Sequence, residues 1–123
     1  MPSTPDFIAH CLELMTPLGV PRARRMFGGH GVYLDELFIA LIINEGLYLK
    51  ADAATRERFE QAGCTPFSYA GKDKRVAVMA YYTAPEEALD SPAAMAPWLC
   101  LAQAAALRSR AAALPRKPRG TRG

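Results

Sequence analysis

Gly31-Val-Tyr-Leu-Asp-Glu-Leu-Phe-Ile-Ala-Leu-Ile-Ile-Asn-Glu-Gly-Leu-Tyr-Leu-Lys50 reads as three short strands joined by two turns. Residues 31–34, 37–43 and 47–50 are rich in β-branched and aromatic side chains, and Asp35-Glu36 and Asn44-Glu-Gly46 punctuate them. That pattern predicts an antiparallel meander. The middle run, Leu37–Ile43, does not alternate, because seven consecutive residues are apolar. A strand with one wet face carries polar residues at period two, so this one is expected to be covered on both faces.

Just upstream, Arg25-Met-Phe-Gly-Gly-His-Gly-Val-Tyr33 places three glycines in four positions. Glycine at that density means positive φ, or a neighbour that approaches the backbone closely. A phosphate loop fits poorly. The dinucleotide fingerprint would need glycine where Leu34 stands, the Gly-Lys-Ser/Thr of a Walker loop is absent, and no helix start follows. A tight turn or a glycine bulge is the favoured reading. Further upstream, Thr4-Pro5 looks like an N-cap with proline in the first turn. Phe7, Ile8, Cys11, Leu12, Met15 and Leu18 recur at helical spacing, which predicts a helix over about 5–16, ended by Gly19-Val-Pro21.

Downstream, Asp52 is a plausible cap for a helix over 53–62, with Phe59 inward and Gly63 just past its end. A hairpin is expected from Pro66–Ala70 to Val76–Tyr82 around the polar loop Gly71–Arg75. Pro85–Asp90 reads as one helical turn, and Ser91-Pro92 as the cap of a further short piece. Pro97 is expected to start the last helix, over about 97–113, since proline is costly inside one. Between Pro97 and Leu107 the one polar side chain is Gln103, so that helix is expected to be buried all round. The fold class is therefore α+β: an antiparallel sheet of about five strands, a meander plus a hairpin, packed with N-terminal, middle and C-terminal helices. Such a chain has more apolar surface to hide than helices to hide it with. A homodimer is expected, with the sheet edge or last helix at the interface.

Composition agrees with one globular domain: 123 residues, 50% hydrophobic and 22% charged. The net charge of +3 is unevenly placed. Residues 1–114 hold eleven Lys/Arg and twelve Asp/Glu, whereas the Pro/Gly-rich tail 115–123 holds four basic residues and no acid. The body is read as residues 1–114, and 115–123 as a disordered basic tail. Cys11, Cys64 and Cys100 are odd in number and lack C-x-x-C spacing, which points to neither disulfides nor zinc. Cys11 and Cys100, among apolar neighbours, are expected in the core. No apolar run approaches the ~20 residues of a membrane span, and the first residues do not resemble a secretory signal. A soluble, cytoplasmic protein without membrane contact is expected.

Few residues suggest chemistry. His30 between glycines invites an acid–base role, but nothing in the sequence brings it together with Cys64 and Asp35. No metal-ligand spacing exists, and no cofactor is expected. Tyr48 and Lys50 share one face of their strand, with Tyr81 and Tyr82 on another; such a set could stack bases, or simply pack across strands. Arg22, Arg24 and Arg25 form one basic cluster. Arg116, Lys117, Arg119 and Arg122 form another, candidate nucleic-acid contacts of a weak, nonspecific, salt-sensitive kind.

Several ordered pieces together carry a resemblance: Arg25–Tyr33; Leu47-Tyr-Leu-Lys-Ala-Asp52; Phe59 with Gly63 and Pro66-Phe-Ser-Tyr69; Tyr81-Tyr82 before Ala84-Pro-Glu-Glu87; and Pro97-Trp98 with the alanine-rich ending. In these the chain, over about residues 4–113, resembles the N-terminal domain of the TfoX/Sxy family of bacterial competence regulators. The motif residues are Met26, Phe27, Gly28, Gly29, Gly31, Tyr48, Lys50 and Asp52. The resemblance implies an α+β domain that dimerises and acts as a noncatalytic regulatory module through protein contacts, with a transcription-associated partner. Full-length regulators continue into a second helical domain, whereas here a basic tail follows, so a stand-alone form is expected and competence control is not carried over. Two alternatives stay open: an accessory nucleic-acid-binding protein using the tail, and a small ligand-binding protein or enzyme using the Gly28–Gly31 loop.

Overall fold

The meander is the centre of a six-stranded antiparallel sheet in a computed structural model, which describes residues 4–26, 29–70 and 75–113. In chain order the elements are α1 (Pro5–Leu14), β1 (Pro21–Met26), β2 (Gly29–Leu34), β3 (Leu37–Ile43), β4 (Gly46–Lys50), α2 (Arg56–Gln61), β5 (Pro66–Ala70), β6 (Arg75–Thr83) and α3 (Pro92–Ala113). Short 3-10 turns at Thr16–Leu18 and Glu86–Asp90 follow α1 and β6. The spatial order is β1-β2-β3-β4-β6-β5, so the hairpin attaches to the meander through β6.

Local chemistry accounts for most boundaries. The Thr4 hydroxyl accepts from the Phe7 amide at 3.2 Å and caps α1. Both meander turns place two consecutive residues at positive φ: Asp35 (51°) and Glu36 (65°), then Asn44 (52°) and Glu45 (62°). That is the turn whose twist matches a two-residue hairpin. Gly63, at φ 86°, leaves α2 as expected.

All three helices serve one face of the sheet. Val32, Leu34, Ile39, Ile42, Leu49 and Tyr82 meet Cys11, Leu14 and Met15, Phe59 of α2, and Met95 and Leu99 of α3 there, all 0 or 1% exposed. Each such large side chain contributes about 1.5–3 kcal/mol when fully buried. The Phe59 ring packs between Tyr82, at 5.7 Å, and Trp98, at 5.3 Å.

The expected α+β class and antiparallel sheet hold, with one strand more than the about five expected: Pro21–Met26 is an edge strand. Proline at a strand's first residue and charge along an edge are both compatible with pairing on one side, and three arginines in six residues hide the alternation. The middle helix is shorter than 53–62. Asp52 instead organises a turn, accepting from the Ala54 and Thr55 amides at 3.1 and 3.2 Å, and the helix begins at Arg56.

The last helix is one element, Pro92–Ala113, with Pro97 inside it. Ser91 caps it, its hydroxyl accepting from the Ala94 amide at 3.1 Å. Nor is α3 buried all round: Met95, Leu99, Ala102 and Ala106 form the inward stripe, while Pro97 and Cys100 are exposed and Leu107 is 50% exposed. Alanine fills the outer positions without demanding burial. Cys100 is thus a surface residue, and Cys11 is the core cysteine expected.

Candidate functional site

Among the described residues no helix covers the other face of the sheet, and several residues singled out in the sequence collect there. Cross-strand register puts Arg22 opposite Tyr33, Tyr33 opposite Phe38, Leu41 opposite Tyr48, and Lys50 opposite Tyr81. Directly paired residues share a face, so these side chains line one surface. They form a continuous row. The Arg24 guanidinium sits 5.8 Å from the Tyr33 ring, which stacks on Phe38 at 5.1 Å. Phe38 lies 5.8 Å from Tyr81, whose ring carries the Lys50 ammonium at 4.9 Å. Tyr48 meets Phe67 edge-on at 5.0 Å on the same surface.

This row explains the non-alternating strand. Leu41, on the helix-free face opposite Tyr48, is 7% exposed although no helix of the described residues lies over it. An inserted residue helps: β3 pairs Ala40 with Val32 but Phe38 with Tyr33, a bulge that leaves Ile39 and Ala40 both buried.

Gly29 and Gly31 act by close approach and do not turn the chain. Both lie in β2, and the positive-φ glycines among the described residues are Gly19 and Gly63. A Cβ on Gly31 would lie 2.7 Å from Phe38 Cε1 and 2.8 Å from Met26 Sδ, so Met26 and Phe38 close over a strand that offers no side chain. Of the two expected readings, the glycine bulge is corrected, since the irregularity lies in β3, opposite Val32 and Tyr33; the tight turn falls on residues 27 and 28, outside the described residues. Phe27, Gly28 and the basic quartet Arg116, Lys117, Arg119 and Arg122 lie outside the described residues.

Two grooves border the aromatic row. The larger, about 660 Å³, is lined by Val20, Arg22, Arg24, Tyr33, Asp35 and Glu36, and so brings two arginines and two acids to one corner. The smaller, about 350 Å³, lies at the far end of Lys50 beside Asp52, Arg56 and Arg108. There Arg108 donates to both carboxylate oxygens of Asp52, at 2.6 and 3.0 Å. The Arg108 hydrogen bond holds Asp52 below the ordinary carboxylate range, against partial burial. Burial pulls the Lys50 ammonium below its ordinary value, which the charge of Asp52 partly offsets.

A nucleophilic site is not assembled. His30 is on the second strand of the sheet and Cys64 leads into the sixth, while Asp35 is exposed at the β2–β3 turn. Burial raises the Cys64 thiol and pushes Cys11 up to about 12, disfavouring either thiolate. Among the described residues no three His, Cys, Asp or Glu side chains are grouped to hold a metal, and no helix is long and apolar enough to cross a membrane. Tyr82 parts from its neighbour Tyr81. It faces the helices and its hydroxyl donates to Glu60 at 2.6 Å; burial, with that bond, raises it to about 12.

The comparisons agree with this architecture. Residues 13–106 match the TfoX N-terminal domain. The chain belongs to the TfoX N-terminal domain family. DNA transformation protein TfoX1 of Aliivibrio fischeri (strain ATCC 700601 / ES114) is 30% identical over 78 residues, covering 63% of this chain and 37% of that protein. This chain thus matches little more than a third of the curated relative's length.

Within this TfoX N-terminal domain, Met26, Gly29 and Gly31 shape the helix-free face, Tyr48 and Lys50 lie on it, and Asp52 stands at its rim. Sequence reading found Tyr48, Lys50 and Tyr81 but not Phe38, Arg56 or Arg108. Phe38 was hidden by an unbroken apolar run, although pairing it with Tyr33 across the acidic turn would have placed both on one face. Arg56 and Arg108 are 52 positions apart in the chain and left no local signal.

Proposed function

We propose that this chain is a noncatalytic regulatory domain that works through protein contacts on its helix-free sheet face, the first of them with a second copy of itself. One observation carries the reading: a bare aromatic surface whose corner groove holds Arg22 and Arg24 together with Asp35 and Glu36. A patch bearing both signs is complementary to itself about a two-fold axis, so arginines of one copy meet acids of the other. Val20, 78% exposed beside them, supplies apolar area to the same contact. Membership of the TfoX N-terminal domain family supports the regulatory part, and a cytoplasmic setting with a transcription-associated partner goes with it.

Sedimentation equilibrium at micromolar concentration tests this. The wild type is expected to be a dimer, R22E/R24E and D35K/E36K to be monomers, and an equimolar mixture of the two variants to dimerise again. A monomeric wild type at these concentrations, or charge-swapped partners that stay apart, would overturn the reading.

A second reading, accessory nucleic-acid binding, draws on the same row. Cations at both ends of three aromatic rings are what base stacking with phosphate contact requires. Binding of a single-stranded oligonucleotide that weakens steeply with salt, and collapses when residues 115–123 are removed, would favour it.

A further inference from the structure

The smaller groove has an unbalanced charge. It is lined by Lys50, Asp52, Arg56, Arg108 and Ser109, with alanines between them. Asp52 is its one carboxylate, and that carboxylate is fully engaged by Arg108 and by the Ala54 and Thr55 amides. The ion pair made there is Arg108 with Asp52; neither Lys50 nor Arg56 has a carboxylate within ion-pair distance among the described residues. Lys50 reaches the Tyr81 hydroxyl at 3.4 Å, a long contact with a neutral group. Arg56 is in a worse position, because its Nε is buried with no hydrogen-bond partner.

A buried donor left unsatisfied costs about 1–3 kcal/mol, and more on a charged group. Arginine cannot relieve this by losing its proton. The groove therefore brings three cations to one carboxylate, which is bound to Arg108 and reaches Lys50 only at longer range. A dianion balances that excess, and a volume of about 350 Å³ is at the small end for a ligand site.

We propose that this groove binds a small phosphorylated ligand, its phosphate held by Lys50 and Arg56, with Arg108 and the Ser109 hydroxyl at the rim. The site is separate from the corner groove of the proposed dimer and does not rest on that reading. It gives the Lys50-Ala-Asp52 motif a role: Asp52 neutralises Arg108 and leaves the other two cations for the ligand.

Calorimetric titration of the full chain with inorganic pyrophosphate, with AMP, and with an oligothymidylate lacking a terminal phosphate tests the proposal. Pyrophosphate and AMP are expected to bind, and R56Q and K50Q each to weaken both by about tenfold or more. R25Q, an exposed charge on β1 that lines neither groove, is expected to change neither by more than about twofold. If R56Q fails to fold, R56K carries the same test, since it keeps the charge but removes the planar guanidinium that can bind two phosphate oxygens at once. Absence of binding at about 10 mM ligand, or affinities that K50Q and the Arg56 variant leave unchanged, would overturn it. So would an equal loss in R25Q. Oligothymidylate binding without pyrophosphate binding would also overturn it, in favour of a surface for nucleic-acid backbone.

Discussion

Gly29 and Gly31 are two residues apart on one strand, yet they tolerate a side chain to different degrees. A Cβ on Gly29 would fall 2.5 Å from the Ile42 carbonyl oxygen and 2.6 Å from Ile43 Cγ1. On Gly31 the nearest atoms are the Phe38 ring edge and the end of the Met26 side chain, at 2.7 and 2.8 Å. Backbone held in a ladder cannot step aside, whereas a methionine can change rotamer. G29A is therefore expected to cost about 2–3 kcal/mol and G31A about 1 kcal/mol, within the range for overpacking. Urea unfolding of the two variants measures the difference, and equal losses would contradict it. The sequence announced that glycine mattered here but offered two reasons, positive φ and close approach. Close approach holds at these two positions, while the left-handed conformations belong to Asp35, Glu36, Asn44 and Glu45 in the turns.

Elements were legible wherever local chemistry alone decides them. The cap at Thr4, the two meander turns and the Ser91 cap of α3 each depend on residues within four positions of one another. Elements defined by distant partners were harder to read. β1 is a strand because β2 offers it a ladder, and its own arginines argue for nothing in particular. Pro97 misled in the same way, since its local cost is real and tertiary packing overrides it. Met95 and Leu99 on either side of it are both fully buried, which holds the helix together through a position that cannot donate to the Ala93 carbonyl. That cost can be measured. P97A restores the hydrogen bond on an exposed face, gaining up to ~3 kcal/mol, and loses ~1 kcal/mol of unfolded-state restriction. A net gain of about 2 kcal/mol is expected in urea unfolding. Destabilisation would mean that proline is matched to the backbone at this position of α3.

At the scale of the molecule, the two sheet faces are secured differently: the helices pack on one, and the end of α3 reaches Asp52 at the rim of the other. The inward stripe of α3 stays buried as far as Ala106, but residues 107–111 are exposed, and Arg108 ties them to Asp52. Asp52 also shapes the turn into α2, so one carboxylate links the meander, the middle helix and the end of the chain's longest helix. Its pKa lies below the ordinary 3.8 in the folded protein, chiefly because of Arg108. A depressed carboxylate stabilises the fold above its unfolded pKa, and that contribution is lost as pH falls through the folded value. Wild-type stability relative to D52A should thus be greatest near neutrality, with about 1 kcal/mol from the lost turn acceptor, and the gap should narrow between roughly pH 5 and pH 2. D52N separates the two roles, because its amide oxygen still accepts from Ala54 and Thr55 while the charge on Arg108 goes unanswered. In D52N, amide exchange at 107–111 should be fast at neutral pH and no faster in acid, whereas the wild type should reach that rate only on acidification. Wild-type exchange independent of pH after correction for the intrinsic rate would show that the ion pair does not hold the end of α3.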